Sequence, residues 1–184
     1  MTTNEAKVER CEAIIKYELP NKLKCLEALQ ASGHTLRWDR QLVPIRRNDS
    51  LAVFGDAATK AYLCRRWYDS GRSKGQWTQA EQALLSNTNL SAVGYEHGLH
   101  DCVILNQGTL SVSNKTMATT VEAILGAVFM DGGADALGTV LVTLGLDRHP
   151  FLESTRRNGL LSRLRGGLNV LLAADSIPRY AMVP

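Results

Sequence analysis

Asp49 and Asp56 stand seven positions apart in the stretch NDSLAVFGD, residues 48–56, with Ala52 between them. On a helix the three share one face, because positions i, i+3 and i+7 are neighbours at 3.6 residues per turn. Two acids so placed form either a solvated stripe or part of a site for a hard cation. Asp49 also has a plain reading as a first-turn acid favoured by the helix dipole, with Asn48 as the cap. Glu122 is an acid of another kind. It lies among Met117, Ala118, Val121, Ala123, Ile124, Leu125, Gly126 and Ala127. A carboxylate with apolar neighbours on every side must be paired, protonated or bound to a cation. An ion pair with one of the many arginines and a functional acid are the two readings open for it. If the helices carrying Asp56 and Glu122 cross, the pair makes a carboxylate site. Mg²⁺ takes one or two protein carboxylates and keeps several waters, and such a site suits phosphodiester hydrolysis.

The elements that must position these acids read as helices almost throughout. Apolar spacing predicts helices over 5–17 (Val8, Cys11, Ile14, Ile15) and 21–31 (Leu23, Leu26, Leu29), with Pro20 and Asn21 at the break and Gly33 ending the second. Residues 33–47 read as a connecting segment in which Pro44 argues against a long helix. A helix over 48–66 contains Gly55 in mid-course, which costs up to ~1 kcal/mol relative to Ala and implies that something packs closely there. Residues 70–75 read as a loop. Helices follow over 77–86 and 87–99, then a polar loop over 106–114, a long apolar helix ended by Gly132 and Gly133, and a last helix beyond it. No strand pattern of convincing length is present. The expectation is an all-α domain of about seven helices spanning 1–147, followed by 148–184 as an Arg-rich tail or extra helix.

Composition bounds the rest. The 184 residues suffice for one domain, and 45% hydrophobic with 21% charged content is ordinary for a soluble globular protein. No apolar run approaches the ~20 residues of a membrane helix. Glu5, Glu9 and Glu12 fit neither a secretory signal nor an acid-poor transit peptide. Cys11, Cys25, Cys64 and Cys102 are widely spaced, which points to reduced thiols in an intracellular protein instead of a disulfide frame or zinc site. The net charge of +3 conceals an asymmetry: from Arg148 onward six arginines face two acids. That tail is either a solvated end or a basic strap for an acidic polymer such as RNA.

The order of motifs resembles the catalytic domain of the ribonuclease III family. NDSLAVFGD matches the family signature N-E-R-L-E-F-L-G-D in register. SNTNLSAVGYEHGL (86–99) is similar to the family's S-N-x-x-L…G-L segment, and ATTVEAILGAVFMDGG (118–133) to its A-D-x-x-E-A-x-x-G-A-x-x-x-D-G-G helix. IIKYELPNKLKCLEAL resembles the family's first two helices, so the likeness spans roughly residues 8–145. It implies an all-α domain that forms a homodimer and cleaves double-stranded RNA with Mg²⁺, Mn²⁺ being an alternative ion. The family's site uses four acids. Two of these positions match Asp56 and Glu122, which the resemblance makes catalytic and metal-binding. The other two fall on Ala52 and Thr119. Asp49 and the Thr119 hydroxyl are candidate partial substitutes acting through water, and Asn48 and Lys115 match polar family positions. Val53 stands where the family usually has an aromatic that joins the subunits, with Phe54 next to it. The double-stranded RNA-binding domain that often follows is not matched. Candidate RNA contacts are Arg46, Arg47, Arg156, Arg157, Arg163 and Arg165.

Two functions follow. One is a divergent endoribonuclease in which Asp56 and Glu122 hold the ion. The other is a catalytically impaired RNA-binding or structural protein of a ribosomal or RNA-processing complex.

Overall fold

The structure, a computed structural model, describes residues 3–153. Six α-helices carry nearly all of it: α1 (Asn4–Ile15), α2 (Lys22–Leu29), α3 (Asp49–Ser70), α4 (Lys74–Leu85), α5 (Asn87–Glu96) and α6 (Asn114–Leu144). Two 3₁₀ turns lie at Leu99–Asp101 and Pro150–Leu152. The all-α class holds. The count also agrees once α6 is inspected, because Gly133 breaks its helical course with φ 64° and ψ −153°. The two stretches read separately from the sequence are the two arms of this broken helix.

Local chemistry accounts for most boundaries. Thr3 caps α1 by accepting from the Ala6 amide, and Ser73 and Gln76 close a reciprocal capping box at the start of α4. That box starts α4 at Lys74, so the expected 70–75 loop shrinks to a short turn after Gly71. Neither Asn21 nor Asn48 caps its helix through its side chain. α2 gives way at Gln30, ahead of Gly33. The α1–α2 turn is instead tied by buried Glu12, which accepts from the Leu19 amide at 2.9 Å and from Lys22 Nζ at 2.7 Å.

Residues 33–47 depart from expectation. They hold an antiparallel hairpin, β1 (Leu36–Trp38) and β2 (Gln41–Val43), in which Arg37 pairs with Leu42. Asp39 and Arg40 make the two-residue turn with φ 46° and 64°. Both central residues sit in the left-handed region, as in a type I′ turn, without the glycine that usually signals one.

α6 is the central helix. It packs on α3, α5 and α2 and buries Met117, Val121, Ile124, Leu125, Val128, Leu137 and Leu141. By length and composition α6 could cross a membrane, with a mean hydropathy of 1.4 over its most apolar stretch. The expectation that no run reaches that length is corrected here. Half of the stretch is buried against the other helices, which explains its apolarity.

Candidate active site

The site is set by the crossing of α3 and α6. A Cβ placed on Gly55 would lie 1.9 Å from the Glu122 carbonyl oxygen and 2.7 Å from the Gly126 amide nitrogen. A Cβ on Gly126 would lie 2.5 Å from the Leu51 carbonyl oxygen. The two helices therefore meet backbone on backbone. This is the close approach that Gly55 implied in the sequence, and α6 is what approaches.

The crossing brings Asp56 close enough to Glu122 for its charge to bear on the Glu122 carboxyl. Both are partly buried. Burial first, then the neighbouring Asp56 carboxylate, raises the proton affinity of Glu122, while Lys60 acts the other way; the carboxyl is pushed up to about 7. Among the described residues no arginine pairs with Glu122, and the cation that bears on it is Lys60. Its ammonium lies 2.8 Å from Asp56 Oδ2 one turn back on α3, and 3.8 Å from Glu81 Oε1 on α4. The sequence reasoning missed both Lys60 and Glu81. Lys60 was legible as the i+4 partner of Asp56, whereas Glu81 reaches the cluster only through the packing of α4 on α3.

Nearer the N-termini of α3 and α6 the chemistry differs. Ala52 is 3% exposed and has no polar atom to offer. Asn48, 2% exposed, donates from Nδ2 to the Ala28 carbonyl at 3.0 Å and to Thr120 Oγ1 at 3.3 Å. Its amide nitrogen thereby holds α2, α3 and α6 together. Asp49 is exposed and pairs with Arg47, whose Nε lies 3.1 Å from Asp49 Oδ2. Arg47, Asn48, Asp49, Lys115 and Thr119 line one open cavity of about 270 Å³, and neither Asp56 nor Glu122 is among its lining residues. The four auxiliary residues are thus brought together in one cavity, ahead of Asp56 and Glu122 on the same two helices. Arg46 faces a different, smaller cavity beside Phe54. Arg156, Arg157, Arg163 and Arg165 lie outside the described residues.

The donor set decides what cation the site suits. Among the described residues, no three Asp, Glu, His or Cys side chains converge as a metal cage would require. Two carboxylates are enough for an ion that keeps most of its waters. Asp56 and Glu122 therefore fit a weakly held divalent cation, provided the Lys60 ammonium gives way.

This geometry has relatives. The model of the Ribonuclease III domain matches residues 49–133, from the first residue of α3 to the break in α6. Ribonuclease 3 of Syntrophotalea carbinolica is 26% identical over 180 residues, covering 94% of this chain and 75% of that protein. Ribonuclease 3 of Nitratidesulfovibrio vulgaris is 31% identical over 145 residues, covering 74% of this chain and 57% of that protein. The chain thus spans between about half and three quarters of the length of these relatives. The nuclease domain of ribonuclease III from Campylobacter jejuni superposes with a TM-score of 0.62 at 18% identity, covering 74% of this chain and 94% of that one. Motifs and helix order agree with these matches: residues 49–133 form a Ribonuclease III domain, and the described fold is that of a ribonuclease III nuclease domain.

Proposed function

We propose that the chain is a divergent ribonuclease III-type endoribonuclease that cuts double-stranded RNA by metal-dependent phosphodiester hydrolysis. One observation carries this reading: at the Gly55–Gly126 crossing, half-buried Asp56 comes near enough to half-buried Glu122 to bear on its charge. Asp56 and Glu122 would hold a divalent cation, Mg²⁺ or Mn²⁺. When bound, that ion would neutralise charge building on the phosphodiester and activate water. Without an ion, burial and the Asp56 carboxylate push the Glu122 carboxyl up to about 7; a bound cation would favour its ionised, ligating form. Lys115 and Arg47, at the rim of the neighbouring cavity, supply positive charge for the RNA backbone.

Homodimerisation is part of the proposal. Val53 is 73% exposed, Phe54 39% and Met130 56%, and Phe54 meets Phe129 edge-on at 5.8 Å. An exposed apolar group of this kind on a well-packed body favours burial against a second copy. The Campylobacter jejuni nuclease domain has a region involved in dimer formation, which supports the same arrangement here. Sedimentation at tens of micromolar, an order-of-magnitude choice, should show a dimer; a monomer throughout would defeat this part.

The second reading is an RNA-binding protein without cleavage. It is favoured by Lys60 seated on Asp56 and by neutral Ala52 and Thr119 where the resemblance places acids. The deciding assay is cleavage of long double-stranded RNA by the parent and by Glu122→Gln across a Mg²⁺ series. Activity that vanishes in Glu122→Gln upholds the enzyme. A parent inactive at every concentration leaves the binding protein.

A further inference from the structure

Lys60 is set among three carboxylates from three helices. It grips Asp56 at 2.8 Å, stands 3.8 Å from Glu81, and bears on the charge of Glu122. An ammonium is a compact cation with three rotatable donors. Here it lies against one of the two carboxylate oxygens that Asp56 could offer a divalent ion. Its side chain is still partly exposed, so it can leave without unpacking the core. Removing a cation from beside two or three carboxylates without replacing it would leave their repulsion uncompensated. The arrangement is therefore an exchange: one positive group leaves as another enters.

We propose that Lys60 is the resident counter-cation of the acid site and competes with the divalent ion for Asp56, acting as a tethered inhibitor of metal binding. The inference rests on the reading above, in which Asp56 and Glu122 hold the ion. It adds that the ion's affinity is set by a residue of the same helix. In the metal-free protein the lysine keeps the acids compensated and the crossing intact. The divalent ion must displace the ammonium before it can use both acids, so occupancy demands more free ion than the two carboxylates alone would.

The test is Mn²⁺ binding to the full chain, followed by the paramagnetic signal of free Mn²⁺, for the parent, Lys60→Met, Lys60→Arg and Asp56→Asn. Unfolding by urea checks that each variant is folded. Lys60→Met should bind Mn²⁺ about tenfold more tightly than the parent, the size of change that neighbours of a metal site commonly produce. Lys60→Arg keeps the charge and should bind like the parent, which separates charge from the packing of the stem. Asp56→Asn should abolish the site in either background. Equal affinity of parent and Lys60→Met, with binding still lost in Asp56→Asn, overturns the counter-cation assignment and leaves the metal site standing. Absence of Mn²⁺ binding in parent and Lys60→Met alike removes the metal reading and this inference with it.

Discussion

The two ends of the α3–α6 crossing share one backbone and differ in chemistry. At one end, Asp56 and Glu122 remain and are compensated by Lys60. Nearer the helix N-termini, Ala52 is sealed in the core, the Asn48 amide nitrogen makes structural hydrogen bonds, and Asp49 turns to Arg47. The glycine contact itself is closed to any side chain. The lesson is that the positioning framework and the ligands it positions are separable. The crossing depends on backbone contact and is indifferent to how many acids flank it. The charge at each end depends on single side chains that can change while the helices stay in place.

The contact itself should give the largest effect. Gly55→Leu forces a side chain against the Glu122 carbonyl and should cost at least about 3 kcal/mol, enough to unfold much of the protein. Gly75→Ala on α4 meets nothing within 4 Å and should be neutral or stabilise by about 0.5–1 kcal/mol. Urea unfolding followed by circular dichroism separates the two. A loss below about 1 kcal/mol in Gly55→Leu would mean the helices can part freely, and the framework would no longer be distinct from its ligands.

Next comes an attempt to make the neutral end resemble the acid end. Ala52→Glu with Thr119→Asp puts negative charge at a sealed position and at a half-buried one. Without metal the double variant should lose about 2–4 kcal/mol. With Mg²⁺ much of that should return, because both groups would touch the same ion. The two should then raise cleavage at low Mg²⁺ more than additively. Thermal unfolding with and without Mg²⁺ reads the first part and a cleavage series the second. A double variant that gains neither metal-linked stability nor rate would show that the neutral end no longer faces the site.

A smaller stability effect than either of these destabilised variants belongs to Glu122. Its folded form resists ionisation, since its carboxyl titrates near 7 against an ordinary value of 4.5. The resulting penalty is absent below about pH 4.5, grows as pH rises to about 7, and is constant above. Glu122→Gln should therefore stabilise the metal-free protein above pH 7, by on the order of 1–2 kcal/mol after allowance for partial exposure. It should leave stability at pH 4.5 unchanged and lower cleavage at least about 100-fold. A stability gain equal at both pH values would show that charge is not what separates Gln from Glu there.

Much of this was legible in the residues. Helix periodicity, the glycine in mid-helix and the carboxylate in an apolar run led to an all-α domain and to two acids at a crossing. The hairpin was not legible, because Asp39 and Arg40 adopt left-handed backbone that neither residue advertises. The helix caps at Asn21 and Asn48 misled because capping tendency describes a free helix end, and the Asn48 side chain finds buried partners on α2 and α6 instead. Glu81 was invisible for a different reason. Nothing in its own neighbourhood is unusual, and only the packing of α4 on α3 carries it toward Lys60.

Crowding in a protein core is commonly relieved by trimming whatever the new group strikes. At Gly55 that remedy does not exist. The obstacles are the carbonyl oxygen of residue 122 and the amide of residue 126, and every amino acid carries both carbonyl and α-nitrogen. Gly126 is hemmed in the same way by the Leu51 carbonyl. No second-site replacement elsewhere can therefore rescue either position while the helices keep their separation. A library randomised at both sites and selected for folding should return glycine twice, whatever is allowed to vary around them. Such a library varied at 52, 60 and 119 should return many answers.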